Sequence, residues 1–211
     1  MMIIGLAGGS GSGKGEVCKI FADLGINSID TDKIAREVTH KGSKCLSELA
    51  QHFSSPIFDI LDENGELNRQ RLADIAFASP ENHEILNQIT HKHILKECLS
   101  QIAAFEANGK SAVIVDAPLL FESGFDKQCD VIISVISSDV NTRIERIVER
   151  DNLSAEQAKK RIEKQKSDEF LIENSTYVIR NDGTISDIES QIKKIYSDMT
   201  YEKTVKWENR I

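Results

Sequence analysis

A glycine-rich stretch near the N-terminus carries the residue types best suited to chemistry. Residues 8–14 run Gly-Gly-Ser-Gly-Ser-Gly-Lys, after a short apolar run at residues 2–7 and before an amphipathic helical pattern that begins at Val17. Glycines let the backbone bend so that several N–H groups face one anion, while the helix N-terminus and Lys14 add positive charge. Strand, glycine loop, lysine and helix in this order predict a phosphate-binding loop.

The residue that follows Lys14 departs from the usual motif. Such loops place Ser or Thr there, and its hydroxyl holds Mg²⁺, whereas this chain continues with Gly15 and Glu16. The departure concerns the metal arrangement rather than phosphate binding. A plain glycine turn with a solvated lysine is the alternative, and a dinucleotide-binding loop is excluded because its glycine spacing does not occur.

Acidic residues follow two predicted strands. Asp30 and Asp32 come after the second apolar run, and Asp116 comes after the run at residues 112–115. The carboxyl ends of parallel strands meet at one edge of a sheet, where ligands bind. A phosphoryl transferase needs a cationic cradle, an acid for the acceptor hydroxyl and acids that hold Mg²⁺ through water. Capping of the following helix is the alternative role for Asp30 and Asp32.

Arginines follow one helical face further along the chain. Arg143, Arg146 and Arg150 are spaced i, i+3, i+7, and a lysine-rich stretch lies at residues 159–166. The lysines are typical of a solvated face. Arg146 and Arg150 are better candidates for a helical lid that brings positive charge to a transferred phosphoryl group.

The patterns of strands and helices alternate and predict an α/β fold. Residues 112–116 and 130–136 are apolar nearly throughout, as in strands that helices cover on both faces of a parallel sheet. A helix is expected from Ser79-Pro80 to Asn108-Gly109.

Capping boxes are predicted at two later helix starts, at Ser154 with Gln157 and at Ser186 with Glu189. The last helix is expected to bury an apolar stripe. Its members are Ile188, Ile192, Ile195 and Met199. We expect residues 200–211 to form a loosely held polar tail.

Composition limits the function classes. The chain has 211 residues and a net charge of −8, which argues against a protein that coats nucleic acid. No apolar run approaches the ~18 residues that a membrane span needs. The four cysteines are widely scattered, so we expect reduced thiols in a cytoplasmic protein and no zinc site.

Taken in order, these motifs resemble the dephospho-coenzyme A kinase family. The most particular match is Asp-Ala-Pro-Leu-Leu-Phe-Glu at residues 116–122, and the resemblance runs from residue 2 to about residue 195. The other matching stretches are residues 5–14, 29–36 and 65–69, His91, Arg146, Arg150, Arg161, Gln165 and residues 178–181. The family usually has Ser where Gly15 stands and Gln where Arg143 stands.

The resemblance implies a P-loop NTPase-like parallel sheet flanked by helices, with a helical acceptor-binding insertion and a helical lid. Residues 1–41, 110–138 and 176–211 would form the nucleotide-binding core, residues 42–109 the acceptor-binding region and residues 139–175 the lid.

The same resemblance implies that ATP phosphorylates the ribose 3′-hydroxyl of dephospho-coenzyme A, with Mg²⁺ as cofactor, in the last step of coenzyme A synthesis. Asp32 would be the catalytic base, assisted by Lys14 and Arg146, and Asp116 would hold the metal through water. The ATP-binding residues would be Gly11, Ser12, Gly13, Lys14, Gly15, Glu16, Arg150 and Asn181, the last near the adenine. The substrate-binding residues would be Asp32, Arg36, Arg69, His91, Pro118, Leu119 and Glu122.

Two other function classes share part of the pattern. Another P-loop kinase, acting on a nucleoside monophosphate or a similar small molecule, would have the loop without residues 118–122 and the Asp32–Arg36 pair. A slowly hydrolysing nucleotide switch is the second, although no guanine-reading Asn-Lys-x-Asp motif occurs. We expect a monomer or weak homo-oligomer whose partners are ATP and dephospho-coenzyme A, with no nucleic acid and no membrane.

Overall fold

The computed structural model describes residues 1–55 and 59–208, and for residues 201–208 it describes the backbone alone. Within those residues a five-stranded sheet has the order β2-β3-β1-β4-β5. The strands are β1 (Met2–Ala7), β2 (Asn27–Asp30), β3 (Ala112–Asp116), β4 (Val131–Ile136) and β5 (Tyr177–Arg180). β1 pairs in parallel with β3 and β4, and β4 pairs in parallel with β5. The predicted α/β class with a parallel sheet is confirmed.

Helices follow the strands in the predicted alternation. In the first half of the chain they are α1 (Lys14–Asp23), α2 (Thr31–Val38), α3 (Lys44–Phe53), α4 (Arg69–Ala76) and α5 (Pro80–Ala107). In the second half they are a 3₁₀ turn (Phe125–Gln128), α6 (Val140–Asp151), α7 (Ala155–Glu163), α8 (Asp168–Glu173) and α9 (Ile185–Glu208). The Ser79 side chain caps α5 as predicted, and Asn108 ends it.

The chain folds into two compact units. Unit 1 comprises residues 1–29 and 110–211, and unit 2 comprises residues 30–109. The predicted bounds of the nucleotide-binding core, the acceptor-binding region and the lid stay predictions. The functional roles of the predicted regions stay predictions.

The core of unit 1 lies between the sheet and the helices α1 and α9. Ile4 and Leu6 of the central strand are fully buried, and Phe21 of α1 and Ile192 of α9 pack into the same cluster. The predicted stripe of α9, from Ile188 to Met199, is buried throughout. Because these side chains hold strands and helices together beneath the strand ends, the loop after β1 rests on a rigid base.

Unit 2 has a separate small core built by its helices. Leu49 of α3, Leu72 of α4 and Ile89 of α5 pack together, joined by Ile60 from the connection between α3 and α4. That connection contains an isolated antiparallel bridge between Leu61 and Leu67. Pro56, a predicted turn residue, lies outside the described residues.

One of the two predicted capping boxes is wrong. The box at Ser154 with Gln157 is present at the start of α7. At the start of α9, however, the reciprocal bonds join Thr184 and Asp187, since the Asp187 carboxylate accepts from the Thr184 amide at 2.7 Å and the Asp187 amide donates to the Thr184 hydroxyl at 3.3 Å. Ser186 lies within the first turn of the helix, where its carbonyl accepts from the Ser190 hydroxyl.

The predicted tail is also helical over most of its length. α9 continues to Glu208, because no Gly or Pro interrupts residues 185–208. Residues 209–211 lie outside the described residues.

Cysteine usage follows the prediction. Cys45 and Cys98 are buried, Cys18 and Cys129 are partly exposed, and all four are free thiols. In the part of the chain that the structure describes, no helix is long and apolar enough to span a membrane.

Candidate active site

The loop at residues 8–13 connects the end of β1 to the start of α1. Three of its glycines have positive φ, and Gly13 at +101° precedes the first helical residue, Lys14. A side chain at Gly13 would place its Cβ 2.1 Å from the Asn181 amide nitrogen, so only glycine fits. The first N–H groups of α1 have no intrahelical acceptor and carry the positive end of the helix dipole. The predicted phosphate-binding loop is therefore present in form.

Lys14 lies beside the loop and near an acidic residue. Its Nζ donates to the Gly8 carbonyl at 3.0 Å and lies 3.9 Å from Oδ1 of Asp116. Asp116 ends β3, and parallel pairing places it opposite Leu6 of β1. The predicted meeting of the loop lysine with a strand-end aspartate is thus observed, at a distance that leaves Lys14 able to turn toward an anion.

Arg146, predicted as catalytic, and Asn181, predicted to bind ATP, both contact the loop directly. An Arg146 guanidinium nitrogen donates to the Gly11 carbonyl at 3.0 Å, and the buried Asn181 amide donates to the Ser12 carbonyl at 2.8 Å. Asn181 reaches the loop because it follows β5, whose last residue pairs with the end of β4. These bonds engage two carbonyls of the loop. The proximity of Asn181 to adenine stays a prediction.

The Ser12 hydroxyl is buried in the same loop. Among the described residues, no group forms a hydrogen bond with its Oγ. Buried hydroxyls in folded proteins generally have a partner, so an unpaired one inside a loop of this shape marks a place for a ligand.

Two further side chains contact the loop, and neither was predicted as a site residue. Arg143 of α6 is buried, and its Nε donates to the Ser10 carbonyl at 3.1 Å. Gln165 accepts from the Ser10 amide at 2.8 Å and donates to the Ser10 hydroxyl at 2.9 Å. One signal was available, because Arg143 lies four residues before the fully buried Ile147 and so shares its inward face.

Arg150, predicted to bind ATP, is engaged at the end of α6. It makes two bonds of 2.8 Å to the Asp151 carboxylate, which Arg161 of α7 also contacts at 2.7 Å. Hydrogen bonding from Arg150, supported by Arg161, holds the pKa of Asp151 below its usual value against the opposing effect of burial. To reach a phosphate, Arg150 must leave this carboxylate, so its role in binding ATP stays a prediction.

The segment that follows Asp116 forms a turn with an exposed and a buried side. Pro118, Leu119 and Glu122 are exposed, whereas Leu120 is fully buried. Phe121 packs edge-on against Phe170 of α8 at 5.2 Å between ring centroids. The buried side thus fixes the turn, and the exposed side carries the residues predicted to bind substrate, a role that stays a prediction.

Asp30 and Asp32 have different positions at the start of α2. The Asp30 carboxylate accepts from the backbone amides of Asp32 and Lys33 at 2.9 and 3.1 Å, so Asp30 is the N-cap. This is the alternative role that the sequence left open for it. Asp32 lies in the first turn with an exposed side chain. Of the two, Asp32 is the carboxylate available for an acceptor.

Arg36 and Arg69 both lie near the C-terminal end of α2. Arg36 lies one turn after Asp32 and is exposed. Arg69, at the start of α4, donates to the Thr39 hydroxyl at 2.9 Å, and that hydroxyl in turn donates to the Ala35 and Arg36 carbonyls. The bond fixes Arg69 beside the turn that carries Arg36, and guanidinium groups suit an anionic acceptor.

His91 is half-buried on α5. Burial is the main cause that lowers the pKa of His91, and Glu84 partly opposes it. The lowered pKa favours the neutral imidazole, in which one ring nitrogen donates a hydrogen bond and the other accepts one.

Unit 2 also contains a cavity of about 660 Å³ that the sequence did not indicate. Its walls come from the end of α2, the start of α3 and the middle of α5. The lining residues are Glu37, Val38, His40, Ser43, Lys44, Cys45, His93, Lys96, Glu97 and Ser100. None of the predicted substrate-binding residues is among them.

Comparison with known proteins identifies the group to which the chain is related. The sequence model of the dephospho-CoA kinase family matches residues 2–187. A dephospho-CoA kinase of Corynebacterium glutamicum is 37% identical over 199 residues, which cover 94% of this chain and 100% of that protein. One from Bacillus cereus is 38% identical over 194 residues, covering 92% of this chain and 95% of that protein.

A solved structure agrees with these sequence relatives. The dephospho-CoA kinase from Campylobacter jejuni is 26% identical and superposes with a TM-score of 0.69, covering 95% of this chain and 98% of that one. The glycine loop, Lys14 and Asp116 lie inside the range that the family sequence model matches. The chain belongs to the dephospho-CoA kinase family.

Proposed function

We propose that the protein transfers the γ-phosphoryl group of ATP to the ribose 3′-hydroxyl of dephospho-coenzyme A. The bond between the γ-phosphorus and the bridging oxygen breaks, a bond from the 3′-oxygen to phosphorus forms, and ADP and coenzyme A leave. Membership of the family supports the acceptor, and the glycine loop supports the donor.

The observation that supports ATP as the phosphoryl donor is the pattern of hydrogen bonds in the glycine loop. Side chains bond the carbonyls of residues 8, 10, 11 and 12. The N-terminal N–H groups of α1 and the Ser12 hydroxyl remain for an anion. Lys14 and Arg146 add the positive charge that stabilises the transferring group.

Asp32 is our candidate for the base that takes the proton from the 3′-hydroxyl. Its exposed position in the first turn of α2 leaves the carboxylate open to a substrate, whereas the neighbouring Asp30 is used as a cap. Arg36 and Arg69 would bind acceptor phosphates, and His91, Pro118, Leu119 and Glu122 would line the acceptor.

The residues present fit Mg²⁺ as the cofactor. Among the described residues, no group of three or more His, Cys, Asp or Glu could hold a metal by itself. Mg²⁺ keeps several waters and is commonly bound by one or two carboxylates together with substrate phosphates. Asp116 would hold it through water, and the ion would neutralise charge on the β- and γ-phosphates.

The test is turnover of the purified protein with ATP and three acceptor conditions: dephospho-coenzyme A, adenosine monophosphate, and no acceptor. We expect ADP release that depends on dephospho-coenzyme A. Equal rates with adenosine monophosphate would favour a nucleoside monophosphate kinase, and equal rates without acceptor would favour a nucleotide switch.

The base is tested by Asp32→Asn. We expect kcat to fall by about 10²- to 10⁴-fold, the usual contribution of a general base, while ATP still binds. Asp30→Asn is the matched control, because Asn caps helices as well as Asp does and should keep kcat near that of the parent protein. Loss of ATP affinity with unchanged kcat in Asp32→Asn would place Asp32 on the nucleotide side instead.

A further inference from the structure

One residue of α6 meets the phosphate-binding loop at several points. The Arg143 guanidinium donates from Nε to the Ser10 carbonyl at 3.1 Å. Its Nη1 lies 3.8 Å from Oδ1 of Asp168, at the start of α8. The Arg143 side chain is only 7% exposed. Burying a guanidinium is costly unless its charge is paired, and here the Ser10 carbonyl accepts from Nε while the Asp168 carboxylate lies at ion-pair distance.

Arg143 also accounts for two of the loop glycines. A Cβ on Gly9 would lie 2.2 Å from Nη2 of Arg143, and a Cβ on Gly11 would lie 2.5 Å from the Arg143 carbonyl oxygen. Gly11 additionally has φ +75°, whereas Gly9 is not in the left-handed region. The space beside Gly9 is thus occupied by the Arg143 guanidinium and, at 3.0 Å, by Oε1 of Gln165, whereas the backbone conformation of Gly9 imposes no such restriction.

Gln165 completes the attachment of Ser10. The Ser10 amide donates to Gln165, and the Ser10 hydroxyl accepts from Gln165. The Ser10 carbonyl accepts from Arg143. With every polar group of Ser10 used in this way, the residue is an anchor for the loop and not a ligand for phosphate.

We propose that Arg143 is a positioning residue, which holds the phosphate-binding loop in its anion-binding shape by fixing the Ser10 carbonyl. It acts through the loop and does not itself touch the nucleotide. This inference rests on the ATP-binding half of the proposed function. Because a loop held in shape before binding loses less conformational freedom on binding, Arg143 should strengthen ATP affinity without changing the affinity for the acceptor.

The first measurement is equilibrium binding of ATP by calorimetry, which does not depend on the acceptor. Arg143→Met keeps an unbranched apolar chain and removes all donors. We expect its ATP Kd to rise about tenfold or more, as for the loss of a hydrogen bond made by a charged group. The KM for ATP should rise in parallel, with a smaller change in kcat and an unchanged KM for dephospho-coenzyme A.

The second measurement is a double-mutant cycle with Gly9→Ala. The added methyl group should displace the guanidinium and reproduce the effect of Arg143→Met. If both substitutions remove the same contact, the double variant binds ATP no more than about threefold more weakly than either single variant. Gly15→Ala is the matched control, because it adds a Cβ to the same region with nothing within 4 Å. Gly15→Ala can have its own effect on the ATP Kd. In the double variant with Arg143→Met, the fold-changes of the two single variants should then multiply.

Removal of Arg143 leaves the Asp168 carboxylate without its counter-ion and can prevent folding. In that case Arg143→Met is combined with Asp168→Asn, which removes the leftover charge. An ATP Kd within about twofold of the parent value, or effects of Gly9→Ala and Arg143→Met that multiply fully, would overturn the inference. If the parent protein itself failed to bind ATP, the proposed function would fail instead.

Discussion

At the residue scale, glycines of one loop serve different physical purposes. Gly13 needs positive φ and has the Asn181 amide against it, and Gly9 has Arg143 against it. Gly15, in contrast, has open space on its Cβ side and an ordinary helical position. Gly9 and Gly13 in the loop therefore have close neighbours, whereas Gly15 at the start of α1 has none on its Cβ side.

The open space beside Gly15 leads to a prediction about the metal. A Ser hydroxyl at this position would normally bind Mg²⁺ directly, and we expect water to take its place here. Gly15→Ser should lower the Mg²⁺ concentration that gives half-maximal rate by about fivefold, the worth of roughly one net hydrogen bond. The free energy of unfolding should rise by about 0.5 kcal/mol, because Ser is a better helix former than Gly.

A Mg²⁺ titration of both proteins at saturating ATP measures this effect. Gly13→Ala is the contrasting variant, since its Cβ collides with Asn181 and ATP binding should be lost at every Mg²⁺ concentration. An unchanged or poorer Mg²⁺ dependence in Gly15→Ser would show that water does not substitute for a hydroxyl at this position.

At the element scale, three side chains attach the region predicted as a lid to the loop, and one of them is Arg146, which bonds the Gly11 carbonyl. Arg143 of α6 and Gln165 after α7 both bond Ser10. Between them, Asp151 at the end of α6 bonds Arg150 and also Arg161 of α7. Charged side chains at the helix ends thus tie α6 to α7 and, through Arg143 and Asp168, to α8.

The Asp151 cluster predicts a pH-dependent contribution to stability. Arg150, with Arg161, lowers the pKa of the Asp151 carboxyl in the folded protein. The ionised carboxylate therefore stabilises the fold fully at pH values above its ordinary pKa. This stabilisation is lost as the pH falls through the lowered pKa of the folded state. Asp151→Asn should lower the Tm at neutral pH by about 1–3 °C, corresponding to roughly 0.5–1 kcal/mol for a partly exposed network. The difference from the parent should shrink below about pH 4.

Thermal melts of both proteins across this pH range provide the measurement. Glu156→Gln is the matched control, because its pair with Lys160 at 2.7 Å is highly exposed on α7. We expect almost no change in Tm for that variant at any pH. A pH-independent loss in Asp151→Asn would assign Asp151 a packing role rather than an electrostatic one.

At the scale of the whole molecule, each unit has its own core and its own cysteines. Cys45 and Cys98 are buried in unit 2, whereas Cys18 and Cys129 are partly exposed in unit 1. Burial, helped by Glu48, raises the pKa of Cys45 to about 11. Burial, helped by Glu97, raises the pKa of Cys98 to about 12. Since the thiolate is the reactive form, the two pairs should report on the two units separately.

We therefore expect iodoacetamide at about pH 8 to modify Cys45 and Cys98 on the order of 10²-fold more slowly in the folded protein than in urea, as their raised pKa values require. Mass spectrometry of the modified peptides measures each site. In urea all four should react at similar rates, which is the control. Native-state modification of Cys98 as fast as that of Cys18 would mean that unit 2 opens readily.

The sequence by itself determined the features that depend on neighbours along the chain. The loop at residues 8–14, the apolar strands, the start of α5 at Pro80 and the capping box at Ser154 all follow from local spacing and residue type. The box expected at Ser186 was wrong because Thr184 offers an equivalent start two residues earlier. A local sequence pattern does not determine which of two nearby residues begins a helix when either one can cap the same backbone amides.

Only the tertiary structure decided which side chains attach to the loop. Arg143 and Ser10 are 133 positions apart, and Asn181 and Ser12 are 169 apart. The helical spacing of Arg143, Arg146 and Arg150 indicated one positively charged face, but not that the first arginine would be buried against the loop and the last paired with Asp151. Such contacts depend on how α6 packs beside the strand ends, and this is set by the summed burial of many distant apolar residues rather than by any local motif.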